Sequence, residues 1–362
     1  MELNELSGPL LMFKDNTVFV IGAGASDEFN LPVGWKLMNT IKQNSKFRFD
    51  YGLKEGVKEI HDAIVRRYEN RNDEINARFE ACAEIYRAID SAGSIDSFID
   101  RNNHVPHIAE VGKLQIAYAI AKAEGASKLA VNRDRNRQDL NWEALDNAWI
   151  ATFARALFDG VRTTDVDNIG SNITIICFNY DRCIEFYLIA AIERSFYKVS
   201  REQAYKIVSN MRIIHPYGTL GRLPQGLLDR DYIPYGPDLD RLDLWRVSES
   251  LVTWSESIRD SQQVDAIKTA IAQARAIVFL GFAFANQNMR LLEANIPEGK
   301  SYYTKVYSTG YGVPTQVEGA LKEKITKLYS ARMDEFMARY IQIEHGQKCA
   351  DFINTHLINL MQ

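Results

Sequence analysis

Four short apolar runs punctuate this chain, and each breaks abruptly into glycine or polar residues. Thr17-Val-Phe-Val-Ile21 stops at Gly22, and Ile173-Thr-Ile-Ile-Cys-Phe178 runs into Asn179-Tyr-Asp181. Met211-Arg-Ile-Ile-His215 is broken by Pro216-Tyr-Gly218, and Ala276-Ile-Val-Phe-Leu280 ends at Gly281. Runs this short, apolar and rich in β-branched residues predict strands covered on both faces. Tyr302 to Tyr307 predicts a fifth. Between them apolar residues recur at helical spacing: Gly34 to Ile41, about Val57 to Ile89, Ile108 to Glu124 closed by Gly125, Trp142 to Phe158, Cys183 to about Tyr197 and Leu244 to Ala274. Ser94 predicts an N-cap for the Ile95-Asp-Ser-Phe segment.

Strands alternating with helices imply an α/β fold, a Rossmann-like and mostly parallel sheet with helices on both faces. Residues 1–50 and 166–310 carry the strand pattern and predict one discontinuous domain. Residues 51–165 read as a helical insertion, and 311–362, with Leu321, Ile325, Leu328, Tyr340 and Ile341 at helical spacing, as a C-terminal helical extension. Residues from Gly221 to Pro237, punctuated by proline and glycine, read as a loop over a site. The segment from Asn132 to Asp139 has no apolar face. Its arginines, Arg133, Arg135 and Arg137, read as a solvated loop, with a phosphate or partner contact as the alternative.

Charge and composition narrow the function classes. Lys and Arg number 43 against 47 Asp and Glu, a net charge of −4, which argues against a protein whose main task is neutralising a nucleic-acid backbone. The four cysteines form no C-x-x-C pair, so neither a zinc ribbon nor a disulfide framework is predicted, and a reducing cytoplasm is the expected setting. No apolar run is long enough for a membrane span, and the first residues lack the signature of a secretory leader. None of the six histidines forms a metal-ligand pattern with a neighbour, so no metal is expected.

The glycine turn is the first candidate for chemistry. A strand that breaks into Gly22-Ala-Gly24-Ala-Ser26 and then a helix offers close backbone approach and free N–H groups to an anion; a tight turn without a ligand is the alternative reading. The dinucleotide fingerprint of hydride-transfer enzymes has glycine at the third position of G-x-G-x-x-G, where this chain has Asp27. In a parallel sheet the turn would share one edge with the polar ends of the other strands, where ligands bind. His215 titrates near neutrality and suits a general base, although a satisfied, half-buried histidine is the alternative. Asn179 offers an amide that both donates and accepts, and Asn179 and Asp181 read equally as an N-cap and first-turn acid for the helix that follows. Cys177 and Cys183 read as core packing.

Taken in order, Gly22-Ala-Gly24-Ala-Ser26 followed by Asn30-Leu-Pro, Asn179-Tyr-Asp181, the His215 strand end and the Gly281 strand end resemble the motifs of the sirtuin-like NAD-binding family over roughly residues 16–41 and 170–310. The resemblance implies that Gly22, Ala23, Gly24 and Ser26 surround the pyrophosphate of NAD, that Asp181 meets the nicotinamide carboxamide, and that Gly281 and Asn286 lie at the adenosine end. It implies that Asn179 positions a water or ribose hydroxyl and that His215 is the base. The chain lacks the four-cysteine zinc module of deacetylating sirtuins, which turns the expectation away from protein deacetylation. It departs further at Asn30, where glycine is frequent, at Pro216 after the histidine, and at Asn286, where an acid is common. The plan resembles that of NAD-hydrolysing effectors of bacterial anti-phage defence. The expectation is an NAD+ glycohydrolase, regulated through homo-oligomerisation or a partner such as a HerA-type ATPase or a nucleotide-sensing protein. The rivals are a non-catalytic NAD or ADP-ribose sensor, an ADP-ribosyltransferase or cyclase using the same bond cleavage, and a nucleic-acid-binding subunit.

Overall fold

A computed structural model describes residues 12–131, 139–225, 232–296, 303–330 and 335–361. The arginine-rich stretch 132–138 lies outside the described residues. Among the described residues eight strands occur in chain order: β1 (Thr17–Ile21), β2 (Arg48–Phe49), β3 (Leu53–Glu55), β4 (Ile173–Cys177), β5 (Arg212–Ile214), β6 (Ala276–Leu280), β7 (Lys305–Thr309) and β8 (Ile341–Glu344). β2 and β3 form a small antiparallel pair of their own. The other six make one sheet in the order β5-β4-β1-β6-β7-β8, parallel at every pairing.

That order runs outward from β1 in one direction through β4 and β5, then resumes at β6 on its other side. It is the doubly wound arrangement, with its switch point between β1 and β6. The register brings the carboxyl ends to one edge, with Ile21 beside Cys177 on one flank and Leu280 on the other. The α/β expectation is met, and the five expected strands occur with end shifts; the fifth, for example, is Lys305–Thr309.

β8 is a departure. Ile341 falls at the end of a helical pattern, but Ile341-Gln-Ile-Glu344 also alternates, and pairing with β7 buries Ile341. The described C-terminal part is therefore helices Glu318–Thr326, Glu335–Ala338 and Cys349–Leu360 around an added edge strand, not a purely helical extension. The helix closed by Gly125 in the sequence reading continues to Ala126, and the stretch Leu244 to Ala274 divides into three helices.

β1 shows why its residues were chosen. Val18 and Val20 enter a core shared with the helices Lys58–Arg67, Asn72–Ala88 and Pro106–Ala126, whereas Phe19 and Ile21 enter a second core under Trp149–Phe158, Cys183–Ser195 and Cys349–Leu360. Period-2 alternation thus supplies apolar side chains to two layers. The long segment between β1 and β4 is built onto both faces of the sheet. No helix among the described residues is long and apolar enough to cross a membrane.

Candidate functional site

The glycines of the first turn have a structural task. The Gly22 amide donates to the Leu280 carbonyl and the Gly24 amide to the Gly281 carbonyl, both at 2.9 Å. A Cβ on Gly22 would lie 2.6 Å from the Gly281 oxygen, and one on Gly24 would lie 2.8 Å from the Gly281 Cα. Gly281 itself has φ +58, and a Cβ there would lie 2.1 Å from the Ala25 nitrogen. Three glycines therefore let the loops after β1 and β6 interlock backbone to backbone. Asn30, where the sirtuin-like motif often has glycine, closes the short 3-10 turn Asp27–Phe29 with φ 67, a left-handed conformation that asparagine tolerates better than most residues. Glu28, in the same turn, accepts from the Trp149 amide at 3.0 Å and the Ala350 amide at 2.9 Å, so one carboxylate serves the N-termini of two helices.

Asn179 ties β4 to this turn. Its Nδ2 donates to the Gly22 carbonyl at 3.1 Å and to Ser26 Oγ at 2.9 Å, while its Oδ1 is buried without a hydrogen-bond partner. Its backbone carbonyl accepts from His215 Nδ1 at 3.1 Å. The other ring nitrogen of His215, Nε2, lies 2.6 Å from Glu185 Oε1. Residues from the ends of β1, β4 and β5 thus form one hydrogen-bonded chain, from Ser26 through Asn179 to His215 and Glu185. Asp181 is buried and accepts from the Cys183 amide at 3.2 Å; it stands just before the helix Cys183–Ser195, whose first-turn acid is Glu185.

The electrostatics follow from this packing. Burial works against charge on His215, but the Glu185 carboxylate, with Cys177 beside it, outweighs burial and holds the imidazole pKa well above its ordinary value. Burial likewise opposes charge on Glu185, and the adjacent His215 turns the balance, leaving its pKa below the usual carboxylate range. Asp181 is pushed up by burial. Cys177 and Cys183 are buried free thiols raised by desolvation, which fits packing and not nucleophilic attack.

Sequence reading missed Glu185 and Arg182. The guanidinium of Arg182 is fully buried against Glu124, with Nη2 to Oε2 at 2.5 Å and Nε to Oε1 at 3.1 Å. Its remaining N–H groups donate to the carbonyls of Gly221, Ile233 and Pro234, and the Gly236 amide donates to Glu124. The described parts of the loop expected to cover a site are in this way fastened to the end of β4. The Ile95-Asp-Ser-Phe step also gains a place: Asp96 accepts from the Tyr180 hydroxyl, and burial raises its pKa to about 6. Ser94 caps its helix, accepting from the Ser97 amide as its position predicts. Tyr217, next to the histidine strand end, donates to Asn288 Oδ1 at 2.6 Å.

Asn286 stands apart from this chain of contacts. It is exposed at the start of helix Asn286–Leu292 and accepts from Lys324 Nζ at 2.8 Å. Two cavities flank the strand ends. One of about 440 Å³ is lined by His215, Glu185 and Arg182 together with Ile189, Val208 and Met211. The other, about 810 Å³, lies beside Asn30 and Pro32 and includes Lys36, Lys122, Lys128 and Lys348. Asn179 lines neither and is itself buried.

Chemically, the arrangement offers a charged imidazole–carboxylate pair facing a partly apolar cavity, a buried amide with one open acceptor, and a buried carboxyl group. Compared with protein-family models and with curated proteins, the sequence matches none.

Proposed function

We propose that this chain is an NAD+ glycohydrolase, releasing nicotinamide and ADP-ribose, and that it serves as an NAD-depleting effector of bacterial anti-phage defence. The observation that carries the reading is the hydrogen-bonded chain joining the ends of β1, β4 and β5 through Ser26, Asn179 and His215, beside a Gly22–Gly281 contact at the switch point of a doubly wound sheet. These are the motifs of the sirtuin-like resemblance, in its order.

Cleavage of the bond between nicotinamide and ribose C1' passes through an oxocarbenium-like state, so the site must hold the ribose, receive the departing ring and deliver a nucleophile to the opposite face. Asn179 Oδ1 is an open acceptor for a ribose hydroxyl or the attacking water. Asp181, raised by burial, suits the nicotinamide carboxamide. Asn179 and Asp181 are buried, so NAD reaches them only when the elements over the strand ends part. A closed resting state is what an effector kept silent in healthy cells requires. Regulation then falls to homo-oligomerisation or to a partner in the cytoplasm, such as a HerA-type ATPase or a nucleotide-sensing protein.

The test is incubation of purified protein with NAD, alone and with candidate activators, followed by chromatography of the products. Asn179→Ala and His215→Ala should each lower nicotinamide release by roughly 10²-fold; folded variants that retain the wild-type rate overturn the site assignment. Products other than ADP-ribose would redirect the reading to a cyclase or transferase. One observation favours a second reading, a non-catalytic NAD or ADP-ribose sensor: both nitrogens of His215 are engaged by protein. That reading requires NAD binding without turnover under every activating condition.

A further inference from the structure

The engagement of His215 bears on which atom takes a proton. Nδ1 faces the backbone carbonyl of Asn179, which only accepts, so Nδ1 carries hydrogen. Nε2 is the one position left to accept, and Glu185 Oε1 occupies it at 2.6 Å. The second oxygen of that carboxylate, Oε2, is buried and has no hydrogen-bond partner. Glu185 and His215 both line the 440 Å³ cavity, whose wall includes Ile189, Val208 and Met211.

We propose that Glu185 is the proton-accepting catalytic residue of this site, through Oε2, and that His215 is a positioning residue that holds the carboxylate in place. The assignment rests on the hydrolase reading above. In the reaction the bond between the nicotinamide nitrogen and C1' breaks, its electron pair neutralising the pyridinium ring. The water oxygen bonds to C1', and the water proton passes to Glu185 Oε2 and then to solvent. No further reactant is needed.

The two assignments differ in their pH dependence. A histidine base must first lose its proton, and the neighbouring carboxylate holds that proton well above the imidazole's ordinary value, so activity would rise above neutrality. A Glu185 base needs only to be ionised, and His215 keeps it so down to pH values below the usual carboxylate range, so activity is flat across neutrality and falls only in acid. The titratable and charged groups around the pair are Cys177 from β4, Asp181 and Arg182 from the loop that follows, Tyr205 from helix Arg201–Asn210 and Arg222 from the loop after β5. Arg182 is committed to Glu124, and its charge adds to the lowering at Glu185.

The experiment measures the pH dependence of kcat/KM for NAD hydrolysis in wild type, Glu185→Gln and His215→Gln, with the imidazole nitrogens followed by NMR. The expected profile is flat from pH 6 to 9 in wild type. Glu185→Gln should fall by about 10²–10⁴-fold, and His215→Gln should move the acid limb upward as Glu185 loses its cationic neighbour. The NMR titration should show His215 doubly protonated at pH 7 in wild type and neutral there in Glu185→Gln. A limb rising above neutrality that disappears in His215→Gln overturns the assignment, as does a folded Glu185→Gln at the wild-type rate. If Glu185→Gln does not fold, the wild-type profile and titration decide alone. Absence of turnover by wild type with every activator fails the hydrolase reading itself and takes this assignment with it, whereas turnover with the alkaline limb fails only the choice of base.

Discussion

The β1–β6 junction and the β4–β5 junction lie at the same edge of one sheet and are built from different materials. At β1–β6 the contact is backbone against backbone, with Gly22, Gly24 and Gly281 interlocked and the amides of Gly22 and Gly24 donating to protein carbonyls. At β4–β5 a side chain makes the junction, His215 bonding the Asn179 carbonyl and the Glu185 carboxylate, and two buried atoms, Asn179 Oδ1 and Glu185 Oε2, are left without partners. An unsatisfied buried polar atom costs about 1–3 kcal/mol, a cost that a hydrogen-bonding ligand at either atom would relieve. The glycines are explained by how the loops meet. The proposed chemistry draws on the residues on the other side of β1.

The largest expected effect tests the side-chain junction. Arg182→Met removes the counterion of a fully buried Glu124 and releases the carbonyls of Gly221, Ile233 and Pro234, and should cost about 3–5 kcal/mol in urea unfolding. The double variant with Glu124→Leu should recover much of that loss, because the expense lies in the unpaired charge and not in the missing pair. A single variant as stable as wild type would mean that the clamp does not hold the loop over the cavity.

The backbone junction should break next most severely. Gly281→Ala meets the Ala25 nitrogen at 2.1 Å and adopts φ +58, and because the obstacle is backbone it cannot be relieved by a rotamer change. A loss of roughly 2–4 kcal/mol is expected in thermal or urea unfolding. The comparison is sharpened by adding NAD binding to the measurement. If the glycines serve only the loop contact, affinity falls in proportion to the unfolded fraction, and a folded variant that binds NAD far more weakly would return a ligand role to the turn.

Much of this edge was legible in the sequence. The strands declared themselves because buried parallel strands are continuous apolar runs, and their ends because each run stops at a polar or glycine residue. The convergence of Ser26, Asn179 and His215 followed from the parallel sheet once those ends were placed. Glu185 was not legible, since its meaning depends on β5 lying beside β4 and on the direction of the His215 ring, and a carboxylate in the first turn of a helix looks like ordinary capping. Arg182 was hidden in the same way, as a charged residue whose partner stands on helix Pro106–Ala126. β8 was obscured because a four-residue alternation at the end of a helical pattern fits both periods, and only pairing with β7 decides between them. Asn286 was placed at the site by resemblance, while its contact in the fold is Lys324.

The smallest effect separates conformation from ligand recognition at the one turn position where both are plausible. Asn30 departs from the glycine frequent in sirtuin-like chains, and its φ of 67 supplies a reason that involves no ligand: the residue must be left-handed for the chain to leave the Asp27–Phe29 turn and enter Leu31-Pro32. Asn30→Gly should therefore stay within about 0.5 kcal/mol of wild type, the freer unfolded chain being offset by relief of the left-handed strain, whereas Asn30→Val should cost about 1–2 kcal/mol. Unfolding curves of the two variants, with NAD binding recorded beside them, distinguish the explanations. Equal affinity in wild type and Asn30→Gly assigns the departure to backbone geometry, and a folded Asn30→Gly with much weaker binding would place the asparagine side chain against the substrate and extend the chemistry of the edge back across β1.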